Sequence, residues 1–183
     1  MPNPRWFLAG VLVLGATLPL RAETAAPEPD IRTVSHVDLP RYMGRWYVIS
    51  HVPNFLERGK VATSDNYTLL PDGTLRDVFK FRENSFDAAE EEWSGQAWVT
   101  NTTTDASWKV RLFWPFRAGY LVLELDPNYG WAVASSGSGR LFWVLSRTRT
   151  LDQATYRYIL ERLRRRRLDP ALLELVPQPP AGP

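Results

Sequence analysis

The 183-residue chain has a formal charge of +2, is 44% hydrophobic and 13% aromatic, and contains no cysteine. That length suits one domain with a sizeable core and is too short for two large ones. The absence of cysteine excludes disulfides, thiolate metal sites and thiol nucleophiles, and a near-neutral charge argues against non-specific nucleic-acid binding, which needs a basic footprint.

The first element is a targeting segment. Arg5 precedes an apolar run from Trp6 to Leu20 that is short and interrupted by Gly and Pro, so residues 1–22 read as a secretory signal cleaved after Ala22. Removing Arg5 and Arg21 brings the formal charge to zero. An exported, soluble protein of the periplasm or the extracellular space is expected, with an uncleaved anchor as the alternative. Residues 23–35, rich in Ala, Pro and Glu, read as a flexible leader, and the folded domain as residues 36–177.

From Gly44 to Arg147 the chain alternates short aromatic or β-branched runs with turn chemistry. The spacing predicts eight strands: Arg45–Val52, Ser64–Leu70, Thr74–Arg82, Glu92–Asn101, Ser107–Trp114, Gly119–Asp126, Trp131–Ser135 and Leu141–Arg147. Hairpin-length links such as Pro71-Asp72-Gly73 and Pro127-Asn128-Tyr129-Gly130 imply an antiparallel meander. Eight is also the strand number at which a closed sheet can hold one small ligand.

Period-two alternation assigns faces. Trp108, Val110, Leu112 and Trp114 oppose Lys109 and Arg111. Leu75, Phe79 and Phe81 share a face with Asp77, which is either a charge on a cavity floor, partnered by Arg147 or Lys80, or the mark of a slipped register. Leu121, Leu123 and Leu125 oppose Glu124.

After strand eight, Thr150 and Gln153 fit a capping box, and Tyr156, Ile159, Leu160 and Leu163 follow at helical spacing. One amphipathic helix of about four turns should pack outside the sheet. Leu172–Val176 could add a short strand, and residues 178–183 read as a disordered tail. The basic run Arg162–Arg167 is a solvated helix end favoured by the dipole, or a patch for anionic lipid headgroups.

Three short sites carry a family resemblance. Gly44-Arg45-Trp46 opens strand one, Asp126-Pro127-Asn128-Tyr129 lies between strands six and seven, and Leu145-Ser146-Arg147 closes strand eight. Their order and spacing resemble the three signatures of the lipocalins, in particular the bacterial outer-membrane type and the apolipoprotein D group. The segments VDLPRYMGRWYVIS, FLERG, WKVRLFWPFRAGYLVLELD and FWVLSRT extend the likeness over about residues 36–177. The lipid-anchor cysteine of the bacterial type is missing.

The resemblance implies an all-β, eight-stranded up-and-down barrel with one C-terminal helix outside. It gives Gly44, Trp46, Asp126, Tyr129 and Arg147 structural roles, with Arg147 packed on Trp46 at the sealed end. It places the loop Pro53–Thr63 over the mouth and Asn66 and Leu121 toward the cavity. With the alternation, the ligand-contact set becomes Asn66, Phe79, Phe81, Val99, Trp108, Val110, Leu121 and Leu123. The expected partner is a small hydrophobic molecule, fatty acid or lysophospholipid in kind, with a role in envelope lipid maintenance. No cofactor, metal site or nucleic acid is expected.

Two other readings remain. An enzyme acting on an apolar substrate would need acid and base groups converging inside the barrel, yet none of the common catalytic motifs is present. A structural envelope protein would have a filled barrel, with a cavity below about 300 Å³. His36 and His51 read as surface residues, haem ligation being the alternative, and Glu90-Glu91-Glu92 as a solvated loop.

Overall fold

The computed structural model describes residues 28–113 and 116–180. The expected signal, residues 1–22, lies outside them, as does Trp114. Eight antiparallel strands close into a barrel: β1 (Gly44–His51), β2 (Lys60–Leu69), β3 (Leu75–Glu83), β4 (Glu91–Val99), β5 (Ser107–Phe113), β6 (Phe116–Leu125), β7 (Trp131–Ser135) and β8 (Phe142–Ser146). Each strand pairs with its sequence neighbour, and β1 pairs with both β2 and β8, so no edge is left between first and last. A two-residue strand, β9 (Glu174–Leu175), adds to the outer end of β1.

Register shifts in β1, β2, β5 and β6 mark the irregular points. In β2 the shift coincides with Ala62 at a positive φ of 56°, its amide donating to Pro177 O at 2.8 Å.

A short helix, α1 (Leu39–Tyr42), precedes the barrel. Sequence alternation missed it, although Asp38 followed by Pro40 is a cap-and-first-turn signal. Asp38 accepts from the Arg41 amide, and the helix carries Tyr42 into the barrel's lower end.

The C-terminal helix, α2 (Gln153–Arg165), lies outside as expected, but its cap differs. Asp152, not Thr150, is the N-cap, accepting from the amides of Ala154 and Thr155. A carboxylate two residues later in the chain outcompetes the hydroxyl because it answers two amides and the helix dipole together. Ile159 and Leu163 are buried against Ile49, Leu123, Val133 and Val144.

Two segments read as loose are tied down. Within the described part of the leader, the amides of Asp30 and Val34 donate to Arg166 O (2.7 Å) and Val122 O (3.0 Å). At the other end the Gln178 amide group donates to Val48 O and Thr63 O, both at 2.9 Å.

The run Arg162–Arg167 divides. Arg162 and Arg166 hold the buried carboxylate of Glu124, with Arg162 Nε 2.9 Å from Glu124 Oε2, while Arg164, Arg165 and Arg167 face solvent.

Candidate functional site

The closed end comes first because it positions everything above it. Trp46 is fully buried, and its indole donates to Tyr42 O at 2.8 Å. The Arg147 guanidinium lies 3.8 Å from the centre of the Trp46 ring. It also donates to the carbonyls of Arg45 (2.8 Å), Arg41 (2.7 Å) and Tyr42 (3.1 Å). Gly44 has φ +89°, and a side chain there would stand 3.5 Å from Arg147 Nη1. Asp126 caps its own turn through the Asn128 and Gly130 amides, and the Tyr129 hydroxyl accepts from the Asp38 amide at 2.9 Å. The five signature residues therefore meet at one end and seal it.

Above this floor is a cavity of about 120 Å³. Its wall includes Tyr67, Phe79, Trp93, Val110, Tyr120 and Trp143. The loop between β1 and β2 covers it, sending Leu56 and Glu57 inward. Glu57 fixes that loop: Trp143 Nε1 donates to it at 2.9 Å, Asn54 Nδ2 at 3.0 Å, and His51 Nδ1 lies 3.1 Å from its second oxygen. The sequence reading of His51 as a surface residue is corrected, since it is 8% exposed; His36 is exposed.

Of the eight expected contact residues, Phe79 and Val110 line the cavity. Phe81 is inward but stacks with Phe79 and Trp93 toward the mouth, and Trp108 and Val99 belong to the aromatic pack at the floor. The other three are placed elsewhere. Leu121 and Leu123 sit on the outer face, in the cluster under α2. Asn66 alternates with the inward Asp65 and Tyr67 and so also faces out. The error in β6 has a clear cause: the helix makes its outer face as apolar as its inner one. A register shift between Val122 and Glu124 then leaves Leu123 and Glu124 both on the helix side.

Asp77 resolves in favour of the cavity. It pairs with Tyr67 in regular register, lines the wall and is 4% exposed. Neither expected partner reaches it: Arg147 is engaged at the floor, and Lys80 points outward to Glu90 (2.9 Å) and Glu92 (3.5 Å). Burial pushes the Asp77 carboxyl up to about 7.

Asp65, which alternation did not flag, also lines the cavity. It faces Phe79 across β2–β3, which makes it the diagonal neighbour of Asp77 on the inner face. Burial, then the charges of Asp77 and Glu57, raise its carboxyl well above the usual range. Tyr42 and Tyr120 share a hydrogen bond of 2.8 Å beside this pair, and burial raises both phenols. The missed signal was the spacing itself: Asp65-Asn66-Tyr67 repeats the carboxylate-on-an-apolar-face pattern that Asp77 showed.

Among the described residues, no group of three or more His, Cys, Asp or Glu has metal-binding geometry. No described helix is long and apolar enough to cross a membrane.

Comparison with known proteins agrees with this geometry. A family model described as "Lipocalin-like domain" matches residues 37–178. The outer membrane lipoprotein Blc of Escherichia coli (strain K12) is 31% identical over 171 residues, covering 92% of this chain and 96% of that protein. Apolipoprotein D of Cavia porcellus is 30% identical over 159 residues, covering 83% and 82%. Among solved structures, insecticyanin from the tobacco hornworm Manduca sexta superposes with a TM-score of 0.67 at 17% identity, covering 84% of this chain and 87% of that one.

Proposed function

The chain belongs to the lipocalin family, barrels that bind small hydrophobic ligands, and on that premise we propose that it carries a single-chain lipid in the space above Trp46. The observation that supports this most directly is the asymmetry of the barrel. One end is shut by a packed indole and guanidinium, and the other opens to a mostly apolar cavity under a tethered loop. A narrow cavity favours a linear molecule over a ring system, and a fatty acid or lysophospholipid has that shape. Each buried methylene contributes ~0.8 kcal/mol, so a chain of about a dozen carbons reaches the micromolar range after association costs.

Trp93 and Trp143 border the cavity and report on its contents. Titration with palmitate and with a one-chain lysophospholipid should quench or shift tryptophan emission saturably. Absence of any saturable change with both would end the carrier reading.

One observation favours a second reading. At about 120 Å³ the cavity is smaller than the ~300 Å³ at which drug-sized pockets begin, as a filled, structural barrel would be. The same titration separates the two, because a filled barrel leaves the emission unchanged. An acid–base enzyme is less well supported. Asp65 and Asp77 lie on adjacent strands, and the facing wall offers Ala118, Gly119 and Ala134 rather than a second base.

The matched Blc proteins are named outer membrane lipoproteins, and we assign this chain to the exported side of the cell as well, with a part in envelope lipid maintenance. The exposed Arg164, Arg165 and Arg167 would favour contact with anionic headgroups at about 1 kcal/mol each. Co-sedimentation with anionic but not zwitterionic vesicles, lost in high salt, is the expected result.

A further inference from the structure

Resting on the carrier reading above, we propose that the cavity selects an organic cation, taking the protonated amine head of an apolar molecule inward between Asp65 and Asp77. The argument begins from an imbalance. Three acidic residues, Glu57, Asp65 and Asp77, border the cavity, and no Lys, Arg or His is among the described residues that line it. Glu57 accepts from Trp143 and Asn54 through one oxygen and has His51 Nδ1 3.1 Å from the other. Neither aspartate has an ion-pair partner among the described residues, and Asp77 Oδ1 is buried with no hydrogen-bond partner at all. Buried polar atoms are nearly always paired, and an orphan aimed into a cavity marks a place where a donor is missing.

The neighbouring cations are committed elsewhere. Arg147 holds three carbonyls and the Trp46 ring. Lys60 bonds Glu83 and lies 3.9 Å from the centre of the Phe81 ring and 4.7 Å from that of Trp93, and it is not among the residues that line the cavity. The donor must therefore come from the ligand.

The walls favour a cation over a neutral donor. Tyr67, Phe79, Trp93, Tyr120 and Trp143 surround the space, and ring faces attract an ammonium most strongly where water is excluded. Asp65 and Asp77 stand as diagonal neighbours on the inner face, so one ammonium can reach both carboxyls. A carboxylate head entering the same way would meet like charge and find no cationic side chain in the wall. A fatty acid is thus accepted only tail-first, while an alkylamine is accepted head-first.

The test uses three probes of equal length, decylamine, decanol and decanoate, titrated into the full chain at pH 8 with tryptophan emission as readout. Decylamine should bind at least tenfold tighter than decanoate. Asp77→Asn and, separately, Asp65→Asn should each lower the decylamine-to-decanoate affinity ratio at least fivefold, with decanol in the same variant as the uncharged reference. Near-ultraviolet circular dichroism establishes that each variant is folded, and two variants keep the test open if one is not. Equal or tighter binding of decanoate, or an amine preference untouched by both substitutions, overturns the proposal and leaves the carrier reading standing. Binding of none of the three overturns both.

Discussion

The two ends of this barrel treat buried polarity in opposite ways. At the floor, each polar group of the signature has a named partner: the Trp46 indole has the Tyr42 carbonyl, Arg147 has three carbonyls and a ring face, and Tyr129 has an amide. Midway up, Asp77 is more deeply buried than Arg147 or Tyr129, yet its Oδ1 is orphaned. A fold that can satisfy Arg147 so fully does not lack the means to satisfy an aspartate. The difference separates a region selected for shape from one held open for an occupant: satisfied groups lock the floor, and unsatisfied ones keep the cavity receptive.

That contrast is sharpened by substitutions that damage one region and not the other. The largest expected effect is at the floor. Trp46→Ala removes a fully buried indole that packs on Tyr42 and should destabilise the barrel by roughly 3–5 kcal/mol in urea unfolding. Arg147→Met keeps the length of the side chain but strips three hydrogen bonds and the ring contact, for about 2–3 kcal/mol. Gly44→Ala forces a side chain onto a left-handed backbone beside that arginine, at about 1–2 kcal/mol. If all three left stability unchanged, the floor would not be the locked region described here.

The same contrast explains what could be read from the chain beforehand. The floor was legible because its residues are rare types in fixed order: a Gly-x-Trp, an Asp-x-x-Tyr and a terminal Arg, each doing one geometric task. The eight strands were legible because every turn between them announces itself with Pro, Gly, Asn or Asp. The cavity wall was less so. Alternation identifies two faces of a strand but not which is inside, and β6 is apolar on both because α2 covers its outer side. Leu121 and Leu123 were therefore read inward although they pack on Ile159 and Leu163, while the true inner residues, Ala118 and Tyr120, looked unremarkable. Glu124 faces outward as alternation implies, but its burial was not legible, since its partners Arg162 and Arg166 lie some forty residues away and no local pattern joins them.

The expected effect at the cavity has the opposite sign. Burial raises Asp77 to about 7, against an unfolded carboxyl near 4. Asp65 and Tyr67 on β2, Tyr42 below, Tyr120 on β6 and Glu57 on the loop are the ionisable groups around it, and none supplies a positive charge. Below pH 4 the carboxyl is neutral in both states and costs nothing. Between pH 4 and 7 the unfolded chain releases its proton while the folded chain retains it. Stability must therefore fall as pH rises through that window and stay low above it. Asp77→Asn removes the titration and should stabilise the empty barrel at pH 8 while changing little at pH 4, flattening the pH profile of unfolding. A variant as unstable at pH 8 as the parent would mean that Asp77 already has a partner in solution, and the difference between floor and cavity would disappear.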